Sequence, residues 1–173
     1  MTTAFSRIRT DRSGAAAAEM ALVIPLLLTI LFGSIELGNY FMNEHTLVKS
    51  VRDGARFAAR QSFINYTSCS GEPGGTVVAD TKALVMNGAL SGGTIITPNI
   101  EAADISVTNS CKLEVGEAGS EVPMTGIYTD RPTGAQIVTV SATVAYRPVL
   151  AAFGFTGIGL NLNAASQSAV AGL

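Results

Sequence analysis

The chain has 173 residues, of which 47% are hydrophobic and only 14% are charged, and its mean hydropathy is positive. Soluble domains carry about 25% charged residues, so part of this chain is expected outside water. The net charge of −2 and the pI of about 5.3 exclude the basic face of a typical nucleic-acid-binding protein. One histidine and two cysteines are too few for a protein-held zinc or iron–sulfur site, so no metal and no cofactor are expected.

The hydrophobicity is concentrated near the N-terminus, in residues 15–35, where Glu19 is the only charge. As an α-helix this segment is about 30 Å long, which matches the hydrocarbon core of a bilayer. It therefore predicts a transmembrane helix, with a buried helix of a soluble core as the alternative. The arginines of the preceding leader, Arg7, Arg9 and Arg12, predict a cytoplasmic N-terminus by the positive-inside rule.

A cleaved secretory signal is a further alternative for this segment. Such a signal has a shorter apolar stretch, and its small-residue cleavage site comes after that stretch. Here the small residues come before the apolar stretch, from Ser13 to Ala18, and the sequence Glu36–Asn39 that follows it is a poor cleavage site. This inverted order argues against secretion.

The run GAAAAEMALVIP at residues 14–25 resembles the start of a type IV prepilin, and more closely that of the TadE-like family. Two later segments, at residues 35–38 and 52–59, are similar to that family's apolar-Glu-x-Gly and Arg-Asp-Gly-Ala-Arg motifs. The resemblance covers about residues 13–60, with Met20 where the family often has phenylalanine. It implies a minor pilin or pilin-like assembly protein of tight-adherence (Tad) pili.

The resemblance also implies roles for residues at the start of the helix. A prepilin peptidase would cut between Gly14 and Ala15 and leave the apolar helix in the inner membrane. The new ammonium group of Ala15 would pair with Glu19 of a neighbouring chain and fix the register of packed helices, because any other register leaves both charges unpaired. A glutamate that only complements the helix dipole is the alternative. Pro25 removes one backbone hydrogen bond and would let the helix bend during assembly, or it is a proline that a membrane helix tolerates.

Apolar residues continue at three- and four-residue spacing from Leu37 to Ala59, so the helix is expected to extend as an amphipathic stalk to about Gln61. This stripe predicts packing on the protein's own sheet. Charged residues along the stalk are candidates for contacts with other subunits, although charges at this spacing are usually only solvated: Glu36, Arg52, Asp53 and Arg56.

The rest of the chain predicts a small domain in which strands form an antiparallel sheet against the stalk. A second helix is expected from Val77 to Leu90, and strands at residues 104–108, at 136–146 and from 160 onward. The domain is therefore of the α+β class.

Cys69 and Cys111 would lie outside the cytoplasm, where disulfides persist, and a bridge would add about 2–4 kcal/mol of stability. Two separate buried thiols are the alternative. The single histidine, His45, lies on the stalk, and no nucleophile, base and acid are spaced as an enzyme requires. The sequence therefore predicts no catalytic residue.

Together these features predict a pilin-like chain with a leader at residues 1–14, a transmembrane helix and stalk at 15–61, and a periplasmic or extracellular domain at 62–173. The expected function is a minor pilin or assembly subunit in the bacterial inner membrane. Its expected partners are other pilins, the inner-membrane assembly platform, a prepilin peptidase and the lipid bilayer, but no nucleic acid. A pseudopilin of a secretion system and an uncleaved, membrane-anchored periplasmic binding protein are the alternatives.

Overall fold

The computed structural model describes residues 12–115, 121–122, 124–129, 131, 133–154 and 159–172. For Arg12 and Ser13 only the backbone is described, and the leader residues Arg7 and Arg9 lie outside these ranges. The described residues form two α-helices and five strands: α1 (Arg12–Ala59), α2 (Val77–Asn87), β1 (Ile105–Lys112), β2 (Glu114–Val115), β3 (Glu121–Val122), β4 (Ala135–Ala145) and β5 (Asn161–Ala169). This is the predicted α+β arrangement, with a long N-terminal apolar helix and a small antiparallel sheet.

The main sheet has three antiparallel strands in the order β1-β4-β5, so β4 is the central strand. Its register pairs Val107 with Val140 on one side and Val140 with Ser166 on the other. Burial alternates along each strand, because successive side chains of a strand point to opposite faces. The short strands β2 and β3 form a separate hairpin that the sequence did not predict.

The core lies between one face of the sheet and the second half of α1. The helix contributes a stripe of fully buried side chains, Leu47, Val51, Ala55 and Ala58. The sheet contributes the face of β4 that the alternation predicted, with Val138, Val140, Ala142 and Val144 buried. Strand β4 therefore buries the apolar face that its alternation defines, and the stalk buries its stripe from Leu47 onward. The start of the predicted stripe was wrong: Leu37 and Phe41 are exposed, because the sheet does not cover these two side chains.

Helix ends differ slightly from the prediction, for identifiable reasons. The stalk ends at Ala59 rather than near Gln61, because the next backbone N–H groups bond three residues back, from Arg60 to Phe57 and from Gln61 to Ala58. Helix α2 ends at Asn87 rather than Leu90. Gly88 stops it in a left-handed conformation, φ 67°, with its N–H bonded to the carbonyl oxygen of Leu84.

Hydrogen bonds attach the C-terminal segment to the C-terminal end of the stalk. The backbone N–H of Ala171 donates to the carbonyl oxygen of Ala59 at 2.7 Å, and the Tyr128 hydroxyl donates to the carbonyl oxygen of Val170 at 2.7 Å. Tyr66 lies fully buried nearby, with its hydroxyl donating to the carbonyl oxygen of Ala58, and burial raises its pKa to about 12. These bonds close the domain around the end of α1.

Candidate functional site: the N-terminal helix and its junction with the domain

Helix α1 is one continuous helix with two different surroundings. From Gly14 to Ile35 every residue is exposed, including the large leucines, isoleucines and valines. From Glu36 onward, side chains begin to pack against the domain, and the helix has fully buried residues by Leu47. The helix is long and apolar enough to cross a membrane, and its apolar part is free of the protein's own core. These properties suggest membrane anchoring through residues 15–35.

The two hydroxyl side chains inside the apolar segment donate hydrogen bonds within the helix. The Thr29 hydroxyl donates to the carbonyl oxygen of Pro25 at 2.8 Å, and the Ser34 hydroxyl donates to that of Ile30 at 2.7 Å. In lipid no water replaces a missing partner, so internal hydrogen bonds of this kind suit a membrane helix. Pro25 lies within α1 without ending it. The predicted bend during assembly stays a prediction.

The residues with predicted processing and assembly roles lie on the first turns of α1. Gly14 has open space around its Cα, and Ala15 is exposed beside it. Glu19 is exposed one turn further along. All three are therefore accessible for contact with another protein, whereas cleavage and the pairing of Ala15 with Glu19 remain predictions.

Glu36, the first charged residue after the apolar segment, joins the helix to the domain. Its carboxylate accepts a hydrogen bond from the Tyr146 hydroxyl at 2.6 Å and from the backbone N–H groups of Val149 and Leu150 at 3.2 and 3.1 Å. These two N–H groups begin a 3-10 helix, Val149–Phe153, whose own capping residue supplies no side-chain bond. Glu36 therefore caps a helix that lies more than a hundred residues later in the chain.

The pKa values around Glu36 reflect this network. Burial tends to raise the pKa of the Glu36 carboxyl, but the bonds from Tyr146, Leu150 and Val149 outweigh it, so the pKa lies below the usual 4.5. Burial and the hydrogen bond to Glu36 raise the pKa of the Tyr146 hydroxyl. Glu36 is therefore charged at neutral pH, as an effective cap requires. Its contact with another subunit stays a prediction, and the contacts that the structure describes lie within the chain.

Tyrosines and asparagines surround this junction. The Asn39 side chain donates to the Tyr146 hydroxyl at 2.8 Å, and the Tyr40 hydroxyl donates to the carbonyl oxygen of Asn161 at 3.3 Å. The rings of Tyr40 and Tyr146 meet edge to face, 5.1 Å apart. Sequence reasoning missed these partners of Glu36. The sequence carried no signal for them, because the alternation that ends at Tyr146 does not show which residue of the helix it faces.

The Arg-Asp-Gly-Ala-Arg segment has an inner and an outer side. A Cβ on Gly54 would lie 2.5 Å from Cγ2 of Val85, so only glycine permits α2 to approach α1 here. Arg52, Asp53 and Arg56 are exposed on the outer side, where Arg56 and Asp53 form an ion pair at 3.8 Å. The small residues of the motif therefore serve packing, and its charged residues remain available to a partner.

The predicted disulfide is confirmed: Cys69 and Cys111 are bonded, with their Cα atoms 4.9 Å apart. The bridge ties the loop after the stalk to β1, where the backbone N–H of Asn109 also donates to the carbonyl oxygen of Gly71 at 2.8 Å. Within the described ranges no group of three His, Cys, Asp or Glu side chains is placed to hold a metal ion.

Residues 14–56 match the family model described as TadE-like protein. No curated protein and no solved structure matches the chain. The matched segment begins at Gly14, contains Glu19 and Glu36, and ends at Arg56, within the last turn of α1. About a quarter of the chain is therefore a TadE-like region, which confirms the resemblance that the sequence motifs indicated for this segment.

Proposed function

We propose that this chain is a minor pilin or pilin-like assembly subunit of a bacterial Tad-type pilus. The observation that carries the proposal is the division of α1, whose TadE-like segment has an exposed apolar half and a half packed on the domain. An exposed helix of this length can lie in a bilayer and can later pack against the helices of other subunits. A role in Tad pili is the function that a TadE-like region suggests.

The proposed life cycle begins in the inner membrane, with the N-terminus in the cytoplasm and the domain in the periplasm. A prepilin peptidase cuts between Gly14 and Ala15, on the exposed first turns of the helix. The ammonium group of Ala15 then pairs with Glu19 of a neighbouring pilin. An unpaired carboxylate in a membrane helix is costly, so this pairing favours one register of assembly. The proposed role is structural, and the chain itself catalyses no reaction.

Mass spectrometry of the mature N-terminus tests processing. The chain is expressed in full in a bacterium that has a prepilin peptidase, and membranes are isolated. We expect Ala15 as the first residue, and we expect Gly14→Val to leave the leader attached. Gly33→Val is the matched control, because Gly33 also lies exposed on α1 with open space around it. A start at Met1 in the unaltered chain indicates an uncleaved anchor, and a start beyond Glu36 indicates secretion; either result contradicts the proposal.

A second experiment tests assembly. Glu19→Ala should leave the chain in the membrane but prevent its recovery with partner pilins in sheared filaments, because the pairing charge is gone. Glu72→Ala, an exposed carboxylate in the loop after the stalk, serves as the control. Normal incorporation of the Glu19 variant would exclude the proposed role of that residue.

A further inference from the structure

Glu36 holds one edge of the domain at the level where α1 leaves its apolar segment. We name residues Tyr146–Ala151 the membrane-proximal edge. The Glu36 carboxylate bonds to the backbone N–H groups of Val149 and Leu150 at 3.2 and 3.1 Å. Side chains of an α-helix lean toward its N-terminus, so this carboxylate lies beside the turn that precedes Glu36, which is the last turn of the apolar segment. The membrane-proximal edge is therefore level with the end of the predicted membrane span.

The chemistry of this edge is that of a surface half in water and half in lipid. The Val149 side chain is 46% exposed. Leu160, whose carbonyl oxygen accepts a hydrogen bond from the backbone N–H of Tyr146 at 2.9 Å, is 44% exposed. From Pro148 to the end of the sequence there is no Asp, Glu, Lys, Arg or His residue. Tyr146 and Tyr40, whose rings pack together beside Glu36, belong to the residue type that is enriched at membrane–water interfaces.

Polar hydrogen-bond donors lie directly beside the apolar residues. A cleft of about 780 Å³ opens between the stalk and the membrane-proximal edge, and its polar lining includes Asn39, Asn43, Asn99 and Arg147. Its described lining residues include no carboxylate, and the Glu36 carboxylate beside it is already bonded to the lining residues Tyr146 and Val149. Arg147 is exposed and is the last charged residue of the sequence. The amide of Asn39 already donates to the Tyr146 hydroxyl, and the amide of Asn43 to the carbonyl oxygen of Asn39. The group best suited to bind phosphate here is therefore the Arg147 guanidinium.

We infer that the membrane-proximal edge lies in the headgroup layer of the bilayer, with Val149 directed toward the acyl chains and Arg147 paired with a lipid phosphate. The bilayer is the occupant because the edge is continuous with the segment that crosses it. The inference rests on the proposed membrane anchoring and adds a second contact with lipid. Before assembly the domain is then in direct contact with the membrane surface, and no exposed stretch of helix separates the two.

Fluorescence quenching by lipid tests the inference on the full chain. Cys69 and Cys111 are bonded to each other, so a cysteine introduced as Val149→Cys can be labelled selectively with an environment-sensitive dye. The protein is reconstituted in vesicles of phosphatidylethanolamine and phosphatidylglycerol that contain nitroxide-labelled lipid. Ile64→Cys is the matched control, because Ile64 is 77% exposed and lies beyond the far end of α1. We expect quenching at position 149 to be several-fold stronger than at position 64.

Two further variants make the test specific. Glu36→Gln should weaken the cap that holds the edge and reduce quenching at position 149. Arg147→Gln should remove the dependence of that quenching on phosphatidylglycerol, because a cation near an anionic surface contributes about 1 kcal/mol, or about fivefold in binding. Strong quenching that is unchanged in both variants would overturn the assigned roles of Glu36 and Arg147.

Resistance of the vesicle-bound protein to alkaline extraction separates this inference from membrane anchoring. If the protein is extracted, anchoring through residues 15–35 fails and the inference fails with it. If it resists extraction but positions 149 and 64 are quenched equally, anchoring stands and the inference is wrong. If the dye at position 149 has a blue-shifted emission but is not quenched, a second copy of the protein covers the edge in place of lipid. This result would also overturn the inference.

Discussion

The two halves of α1 have similar apolar residues but bury them differently. In residues 15–35 the apolar residues surround the helix on all sides and remain exposed. In residues 36–59 they form a stripe that is buried against the sheet and α2 at Leu47, Val51, Ala55 and Ala58, whereas Leu37, Phe41 and Met42 are still exposed. Both number and pattern differ: 16 of the 21 residues in the first segment are apolar, against 11 of the 24 in the second, where polar residues occupy the other side of the helix. This difference divides the chain into a part that anchors and a part that folds.

The largest expected effect on stability comes from shortening a buried leucine in the packed half, with an exposed leucine of the apolar half as the comparison. Leu47 is fully buried and Leu27 is 58% exposed in the same helix. Leu47→Ala should lower the free energy of unfolding of the domain by about 2–5 kcal/mol, because it leaves a cavity in the core. Leu27→Ala should leave it unchanged. The urea midpoint of the tyrosine circular dichroism, measured in detergent micelles, checks both; equal effects would remove the distinction between the halves.

Glycines give a second comparison. Gly54→Leu should destabilise the domain by about 1–3 kcal/mol, since its side chain would overlap Val85 of α2. Gly33→Leu should have no effect on the same unfolding midpoint, because nothing lies within 4 Å of a Cβ at that position. A tolerated Gly54→Leu would mean that α2 is free to move away from the stalk.

Glu36 lies at the border between the halves. Replacing it should lower the free energy of unfolding by an intermediate amount that depends on pH. Hydrogen bonds to a charged group contribute about 1.5–3 kcal/mol, and the partial exposure of Glu36 places Glu36→Gln near the lower end. Because folding lowers the pKa of Glu36, its contribution is complete above pH 4.5 and is lost as the pH falls toward the folded-state value. Urea unfolding of both proteins across this range measures the effect. The unaltered protein should be more stable than the Glu36→Gln variant at neutral pH, and this difference in the free energy of unfolding should disappear in acid. A difference that does not change with pH would contradict the role of the charged Glu36 carboxylate.

The smallest effect on stability is expected on the outer side of the packed half. The Arg56 and Asp53 side chains are 65% and 49% exposed, so Arg56→Ala should change the free energy of unfolding by less than about 0.5 kcal/mol. If these charges contact another subunit, recovery of the variant in filaments should nevertheless fall. Arg60→Ala, which alters an exposed arginine beyond the TadE-like match, is the control. Equal recovery of both variants would leave Arg56 as a solvated charge.

Much of this architecture follows from local pattern. The apolar run is exposed and the alternating face of β4 is buried, as their patterns predict. The stalk stripe is buried from Leu47 onward, but its first predicted residues, Leu37 and Phe41, are exposed. The partners of Glu36 could not be predicted, because they lie more than a hundred residues away and two of them are backbone groups. The hairpin of β2 and β3 was missed because two-residue strands carry no measurable period. The role of Gly54 required the position of α2, which the sequence alone does not provide.

Hydrogen bonds attach the domain to α1 at two points, and this arrangement has a mechanical consequence. Glu36 holds the domain at one end of the packed half, and the bond from Ala171 to Ala59 holds it at the other, about 35 Å away along the helix axis. A force that pulls on the anchoring segment therefore loads both attachments and the intervening core in shear, so that many contacts must break together. Separating the stalk from the domain one turn at a time therefore has to begin by breaking one of these two attachments.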